Sequence, residues 1–458
     1  MPAAFDAIDR KMRAAGLPDV AIATFRHYHA QLVAGTTGLI PESEIEPVER
    51  LPDADALGDH AEAGHRALDA TVVLKLNGGL GTSMGMEGAK SLLPVRGERC
   101  FLDVAAEQVL ALRCRHGGRL PLVLMNSFRT RDASLARLAR HPGLAADLPS
   151  DLMQHKVPRL RVDDLSPVSW SADPEAEWCP PGHGDLYPAL VTSGLLARLL
   201  ERGYRHAFVS NADNLGARLD LGVLGWFASE GMPFLMEVTE RTEADRKGGH
   251  LARRRGGGLL LRESAQCPSA DLQAFQDVRR HRFFNTNNLW LDLPALAREL
   301  AERGNVLGLP MIRNEKHVVP ADPSTPRVWQ LETAMGSALS VFADARALRV
   351  PRTRFAPVKT TSDLLVVRSD AYELTPEAEL RPRSSPLPVV ELDPEHYRLL
   401  ADFEARFPSG PPSLRACRRL RVLGDVCFGR DVVVEGEVEL RAEPGKPLEI
   451  PDGARLRG

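Results

Sequence analysis

"TVVLKLNGGLGTSMGMEGAKS", Thr71 to Ser91, sets an apolar run directly before five glycines and ends on Lys90-Ser91. Thr71 to Leu76 reads as a buried β-strand, because Val72, Val73, Leu74 and Leu76 leave little polar face and β-branched residues suit a pleated, packed surface. A glycine-rich turn after such a strand is the usual opening of an α/β domain that holds a phosphate. Glycines have no Cβ, so backbone N–H groups can approach phosphate oxygens and form an anion-binding nest. Lys90, just past the loop, adds a compact positive charge.

Working outward, Leu120–Met125, Arg205–Ser210 and Pro233–Val238 are further apolar runs of strand length, and Phe101–Arg115 and Ser193–Arg202 carry apolar residues at helical spacing. Strand and helix in alternation predict a doubly wound α/β domain on a mixed, mainly parallel sheet. The rhythm persists through Phe283–Leu291 and a helix near Pro294–Arg303, so the domain is expected over residues 71–365. Residues 1–70 read as helical segments interrupted by Pro41, Pro47 and Pro52, and they carry no chemical constellation. Residues 366–412 read as a linker and edge segment, rich in proline and charge over 376–394. In residues 413–458 short apolar pulses (Val422, Val426, Phe428, Val432, Val434, Val438) alternate with glycine-containing turns. That spacing predicts a small parallel β-helix, in which each coil buries its face against the next; an antiparallel meander is the alternative.

Composition narrows the function classes. A chain of 458 residues has room for two or three domains at roughly 150 residues each, and 43% hydrophobic with 26% charged residues is ordinary for a globular protein. A net charge of −3 with intermixed signs favours neither nucleic acid nor an anionic membrane as partner. The opening MPAAFDAIDRKMRAAG has no apolar core of a leader, and no apolar run reaches membrane-spanning length, so a cytoplasmic protein is expected. Six scattered cysteines without a CxxC pair suit reduced thiols and give no zinc site. Only eight of the 58 basic residues are lysine, which gives added interest to those in a glycine or threonine context, such as Lys90, Lys247 and Lys359, while Lys75 reads as a strand residue preceding the loop.

Two common phosphate loops do not fit. A Walker A loop needs glycine immediately before its Lys-Ser/Thr, and Ala89 stands there. A dinucleotide fingerprint begun at Gly79-Leu-Gly81 needs its third glycine where Met84 stands. A hydride-transfer enzyme is therefore disfavoured, and the phosphate the loop serves stays open on these residues alone.

Lys75-Leu-Asn-Gly-Gly-Leu-Gly-Thr-Ser-Met-Gly85 with Gly88-Ala-Lys-Ser91 resembles the nucleotide loop of the eukaryotic-type UTP–glucose-1-phosphate uridylyltransferases, or UDP-glucose pyrophosphorylases. The resemblance continues in order through "PLVLMNSF" (121–128), "PPGHGDLY" (180–187), "VSNADNLGA" (209–217), "MEVTERTEADRKGG" (236–249), "FNTNNLW" (284–290), "QLETAMGSAL" (330–339) and "VPRTRFAPVKTTSDLL" (350–365). It implies a nucleotide-diphospho-sugar transferase fold of GT-A-like type, a left-handed hand for the C-terminal β-helix, and Mg²⁺ as cofactor. The implied substrates are UTP and glucose 1-phosphate.

The same resemblance assigns residues. Lys359 and Lys90 would be the catalytic cations, and Asp213 the metal ligand that also meets the nucleotide. Leu76, Asn77, Gly78, Gly79, Gln154 and Gly182 would complete the nucleotide site. Gln154 would read the uracil edge, where an amide can both donate and accept. His183 and again Gly79 would contact the sugar phosphate, Asn211 the sugar or ribose, and Asn287 the glucose hydroxyls, with Asn285 and Asn288 less firmly matched. Such a set suits the chemistry, since nucleotidyl transfer needs alignment and charge neutralisation more than covalent help. Lys247-Gly-Gly is expected to shape a loop over the site and receives no role.

Ala89 replaces the proline the family usually carries before the loop lysine, which loosens the loop by one fixed φ. The chain also stops after "LEIPDGARLRG", short of the segment that eukaryotic members use in higher assembly, so a monomer or dimer is expected. The nearest rival is a UDP-N-acetylhexosamine or broad-specificity UDP-sugar pyrophosphorylase, whose loop has the form Gly-x-Gly-Thr-Arg-Leu-Gly where this chain has Gly81-Thr-Ser-Met-Gly85. Rivals of another class are a silent nucleotide-sugar sensor and an acyltransferase built on the β-helix. Lys90, Asp213, His183 and Lys359 together argue against the first, and fewer than ~50 residues of solenoid against the second.

Overall fold

The structure is a computed structural model and describes residues 3–458. Its centre is a ten-stranded sheet: β1 (Ile45–Pro47), β2 (Thr71–Asn77), β3 (Leu122–Asn126), β4 (Asp151–Met153), β5 (His206–Asn211), β6 (Phe234–Glu240), β7 (His250–Arg254), β8 (Leu259–Arg262), β9 (Phe283–Asp292) and β10 (Arg346–Arg349). The main path runs β1-β7-β9-β5-β2-β3-β4, with β6 on β9 and β10, and β8 on β7. Strands β5, β2, β3 and β4 are parallel, so Asn211, Asn77, Asn126 and Met153 finish at one edge. In open α/β sheets the carboxyl edge of parallel strands is where ligands bind. Long β9 runs antiparallel to β5, β6 and β7, which makes the sheet mixed.

Both sheet faces are covered, as alternation along the strands requires. Val72, Leu74, Val209, Met236 and Leu291 enter one apolar core, while Val73, Leu124, Phe208, Leu235 and Trp290 enter the core on the opposite face. The helix Phe101–His116 supports the second face; the Asp103 carboxylate accepts from the Cys100 N–H at its start (2.8 Å), and Gly117 closes it at φ 73°. That left-handed closure is one glycine adopts without strain.

Three elements depart from the sequence reading. Residues 1–70 do supply helices at Ala3–Ala14 and Asp19–Val33, but Ile45–Pro47 pairs with β7 and extends the central sheet. Its proline sits at the sheet edge, where no further strand needs its missing N–H. The helix expected at Ser193–Arg202 is present as Leu195–Glu201, but a helix that the sequence reading did not name, Leu186–Thr192, precedes it across Gly194 with φ 69°. The 376–394 segment is not all linker, since Val389–Leu392 (β11) begins the C-terminal stack.

That stack continues through β12 (Ser413–Leu423), β13 (Val426–Phe428), β14 (Val433–Arg441), β15 (Leu448–Ile450) and β16 (Arg455–Arg457). Neighbours are parallel throughout: β11-β12-β14-β16 form one sheet and β13-β15 another. A meander would have required antiparallel pairs. Leu420, Val422, Val426, Phe428 and Val434 share an apolar core with Met84 of the glycine loop, Leu215 and Val358, so the stack is packed against segments that reach the carboxyl edge of the sheet.

Candidate active site

At that edge lies a cleft of about 320 Å³ lined by Leu76, Asn77, Gly78, Gly79, Lys90, Gln154, Gly182, His183, Asn211 and Asp213, with Ser91, Met125, Pro180 and Ala212. Ten of the residues singled out in the sequence thus meet in one concavity, although they come from four separate stretches of chain. Strand ends of β2 and β5 bring the first and last groups together, and the Ala212 N–H donates to the Leu76 carbonyl at 3.0 Å.

The glycine loop presents backbone rather than side chains. The Asn77 amide points into the sheet end, donating to Asn126 Oδ1 (2.7 Å) and Ser134 Oγ (2.8 Å), so only its main chain faces the cleft. A Cβ on Gly78 would stand 2.7 Å from Gln154 Oε1, so a larger residue there would displace the Gln154 amide. Lys90 returns at the far end of the loop and pairs with Asp213, Nζ to Oδ2 2.6 Å. Their side chains are 15% and 22% exposed, open enough for each to exchange its partner for an incoming group.

The Pro180–Asp185 turn positions two further groups. Gly182 adopts φ 79° and ψ 173°, and a Cβ there would meet the Thr333 carbonyl oxygen at 2.4 Å. That region is essentially glycine-only, and the contact adds overpacking. Gly182→Ala is therefore expected to destabilise the protein by ~3 kcal/mol and to disturb the cleft; a melting temperature within 1 °C or so of the wild type would contradict this. The Met335 N–H donates to His183 Nδ1 at 3.0 Å. Nδ1 is thereby the unprotonated nitrogen, and the proton sits on Nε2. Burial pushes the His183 imidazole down to about 4, so near neutrality it is an uncharged donor.

Gln154 is held from both ends. Its N–H donates to the Asn126 carbonyl (2.7 Å) and its Nε2 to the Gly182 carbonyl (3.0 Å). The neighbouring His155 is gripped by buried Asp185, which accepts from the His155 N–H (2.7 Å) and bonds its Nδ1 (2.9 Å).

Lys359 and Asn287 lie outside the cleft lining, in a second group. Asn287 occupies φ 57° at the bulge where β9 slips against β6, and its side chain accepts from Asn285 Nδ2 at 2.8 Å. A bulge re-aims side chains at a strand interior, and asparagine tolerates the left-handed conformation. Lys359 is exposed, with Nζ 5.8 Å from the centre of the Phe284 ring.

A buried polar network joins the two groups from beneath. Glu237 accepts from Arg354 Nε (2.8 Å) and Nη2 (2.6 Å), Trp290 Nε1 (2.9 Å) and Asn288 Nδ2 (3.0 Å). Asn214, next to Asp213, accepts from the Ala356 N–H at 2.9 Å and donates to the Arg354 carbonyl at 3.2 Å. The segment that carries Lys359 is thus fastened to the loop that carries Asp213.

Two charged residues escaped the sequence reading as site residues. Glu263 lies against Gly249, where a Cβ would come within 2.4 Å of its Oε2. Burial raises its carboxyl, while Asn285 as hydrogen-bond partner and Lys359 as charge hold it down, so Glu263 is within electrostatic reach of both. It stands in "LLLRESAQ", where no neighbour signals a site; only the fold brings it there. Lys75, read as a strand residue, is buried beneath the cleft and bonded to Ser210 and Ala217.

A glycine loop after the first parallel strand, with a lysine–aspartate pair across the carboxyl edge, defines the nucleotide-binding class of mixed α/β protein. The profile of the UTP–glucose-1-phosphate uridylyltransferase family matches residues 22–435. The chain is 43% identical over 421 residues to the UTP–glucose-1-phosphate uridylyltransferase of Solanum tuberosum, spanning 91% of this chain and 84% of that one. It is 38% identical over 412 residues to a probable enzyme of the same name from Schizosaccharomyces pombe, across 89% and 80% of the two chains. Among solved structures it superposes on a UDP-glucose pyrophosphorylase variant from Leishmania major in complex with UDP-glucose with a TM-score of 0.93, at 47% identity and over 99% and 98% of the two chains. The chain belongs to the UTP–glucose-1-phosphate uridylyltransferase family.

Proposed function

We propose that this protein is a UTP–glucose-1-phosphate uridylyltransferase, a nucleotidyltransferase that makes UDP-glucose and pyrophosphate from UTP and glucose 1-phosphate. A phosphate oxygen of glucose 1-phosphate attacks the α-phosphorus of UTP, and the bond from that phosphorus to the pyrophosphate oxygen breaks. The observation that carries this reading is the single cleft in which the glycine loop, Gln154, Gly182, His183, Asn211 and the Lys90–Asp213 pair converge.

Each residue then has a chemical task. The Gly78–Gly79 backbone lies against phosphate, and Gln154 and Gly182 take the uracil edge. Neutral His183 donates from Nε2 to the sugar phosphate, Asn211 and Asn287 bond the sugar phosphate and sugar, and Glu263 is available to a glucose hydroxyl. As the triphosphate enters, Lys90 passes from Asp213 to the phosphates and frees that carboxylate. Lys359, brought in on the segment tied to Asn214, meets the charge that develops on pyrophosphate. Fixed cations in a dry site act strongly on such charge.

A magnesium ion fits the donors at Asp213. No group of three or more metal-ligating side chains occurs among the described residues, so one carboxylate would hold the ion, with phosphate oxygens and water completing its shell. When bound, the ion supplies neutralisation of the phosphate oxygens around the reacting phosphorus.

The alternative sugar specificity is tested by pyrophosphate release from UTP and Mg²⁺ with glucose 1-phosphate against N-acetylglucosamine 1-phosphate, and from ATP in place of UTP. Turnover with the first pair alone supports the reading; equal or faster turnover with the N-acetylated sugar overturns it.

The wider organisation is proposed on the same footing. The division is a helical segment (1–70), a nucleotidyltransferase domain (71–365), a linker and edge segment (366–412) and a C-terminal left-handed β-helix (413–458), with Ile45–Pro47 lent to the central sheet and Val389–Leu392 to the stack; the all-parallel pairing of the strands from Val389 onward supports the last of these. A monomer or dimer is supported by the charged last strand, where Arg455 and Arg457 pair with Glu435 (3.2 and 2.8 Å) and discourage further strand addition. Light scattering reads it directly, and a stable octamer would refute it. A cytoplasmic site is supported by six free cysteines, and no helix among the described residues is long and apolar enough to cross a membrane.

A further inference from the structure

Lys75 lies on β2 directly beside Ser210 of β5 in the sheet register, one strand turn before the glycine loop. The residue is 3% exposed, and it is absent from the cleft lining although the next residue, Leu76, belongs to it. The ammonium donates to Ser210 Oγ at 2.7 Å and to the Ala217 carbonyl at 2.7 Å. These two acceptors bracket the loop Asn211–Gly216, which bears Asn211 and Asp213.

The arrangement is costly unless it does something for that loop. Both acceptors lie in fully buried residues, and neither is a carboxylate. Burial pushes the Lys75 ammonium down to about 7, with Arg354 adding to the fall and Asp213 and Glu237 opposing it. A leucine or methionine would pack this strand without that penalty but would leave the Ala217 carbonyl and the Ser210 hydroxyl unpartnered. Other ties hold the loop from above and from the side: the Ala212 N–H on the Leu76 carbonyl (3.0 Å), and Asn214 Oδ1 accepting from Gly216 (3.2 Å) and Ala356 (2.9 Å). Lys75 supplies the anchor from below.

We propose that Lys75 is a positioning residue that clamps both ends of the Asn211–Ala217 loop and so sets Asp213 at the height from which it meets the metal and the α-phosphate. The proposal rests on the reading of Asp213 as the metal ligand.

The test uses the full chain carrying Lys75→Met or Ser210→Ala, with hydrogen exchange of residues 211–218 in the free enzyme and calorimetric binding of UTP with Mg²⁺, sugar phosphate omitted. In Lys75→Met the amides of 211–218 exchange at least ~10-fold faster while those of β3 stay within ~2-fold, and affinity for UTP with Mg²⁺ falls at least ~10-fold. Ser210→Ala removes one of the two acceptors and shifts both readings the same way by about 2–5-fold. A folded Lys75→Met protein with wild-type exchange and affinity overturns the clamp. If Lys75→Met does not fold, Ser210→Ala decides alone, and wild-type values in it overturn the clamp. Asp213→Asn run alongside separates the two readings: unchanged affinity there overturns the metal assignment, while exchange in the Lys75 variant still judges the clamp.

Discussion

Lys359→Ala folds like the parent and loses at least ~10²-fold in kcat. The side chain is exposed, so its removal leaves no buried void, and what holds the segment is elsewhere. Val358 is fully buried, Ala356 donates to Asn214, and the Lys359 N–H donates to Asp363 Oδ2 at 2.9 Å through a backbone group that alanine keeps. Asp363 and Thr360 form the capping box of the helix that follows, Thr361–Arg368, so the loop's exit is independent of the lysine. The loss should fall mainly on kcat and little on KM for UTP, because the ammonium meets charge that grows as pyrophosphate departs. Steady-state kinetics with a melting curve measures both, and a folded variant with undiminished kcat refutes the assignment.

Asp213→Asn is expected to lose at least ~10²-fold in kcat/KM for UTP at limiting Mg²⁺, with part of the loss restored as Mg²⁺ is raised. The substitution keeps size and one acceptor oxygen but removes the charge that a hard cation prefers. It also leaves Lys90 without its 2.6 Å partner. Since both side chains are partly open to solvent, stability should change by no more than about 1 kcal/mol. Activity titrated against Mg²⁺ checks this, and a variant with the parent's Mg²⁺ dependence contradicts it.

Much of this architecture was legible along the chain because its signals are local. Runs such as Thr71–Asn77 and His206–Asn211 are built around consecutive Val, Leu, Ala and Phe residues and are buried along most of their length, and such apolar runs mark a buried strand wherever they stand. The glycine loop announced itself by residue type, and His183 by its place between two glycines. The missed features depend on partners far away in sequence. Ile45–Pro47 is too short to carry a pattern and becomes a strand only because β7 offers an edge. The antiparallel course of β9 follows from its place between β5 and β6, which apolar content does not encode. Glu263 enters the site through Gly249 and Asn285, neither near it in sequence. Lys75 was visible as a charge in a strand, yet its bonds to Ser210 and Ala217 span more than a hundred residues.

The most direct test of the account follows the α-phosphate. The enzyme is supplied with UTP labelled at the α-phosphorus, glucose 1-phosphate and Mg²⁺, and the products are separated. Transfer at this cleft predicts the label in UDP-glucose, unlabelled pyrophosphate formed in equal amount, and both products lost together in Lys359→Ala. Label released as UMP, or pyrophosphate formed without glucose 1-phosphate, would contradict it.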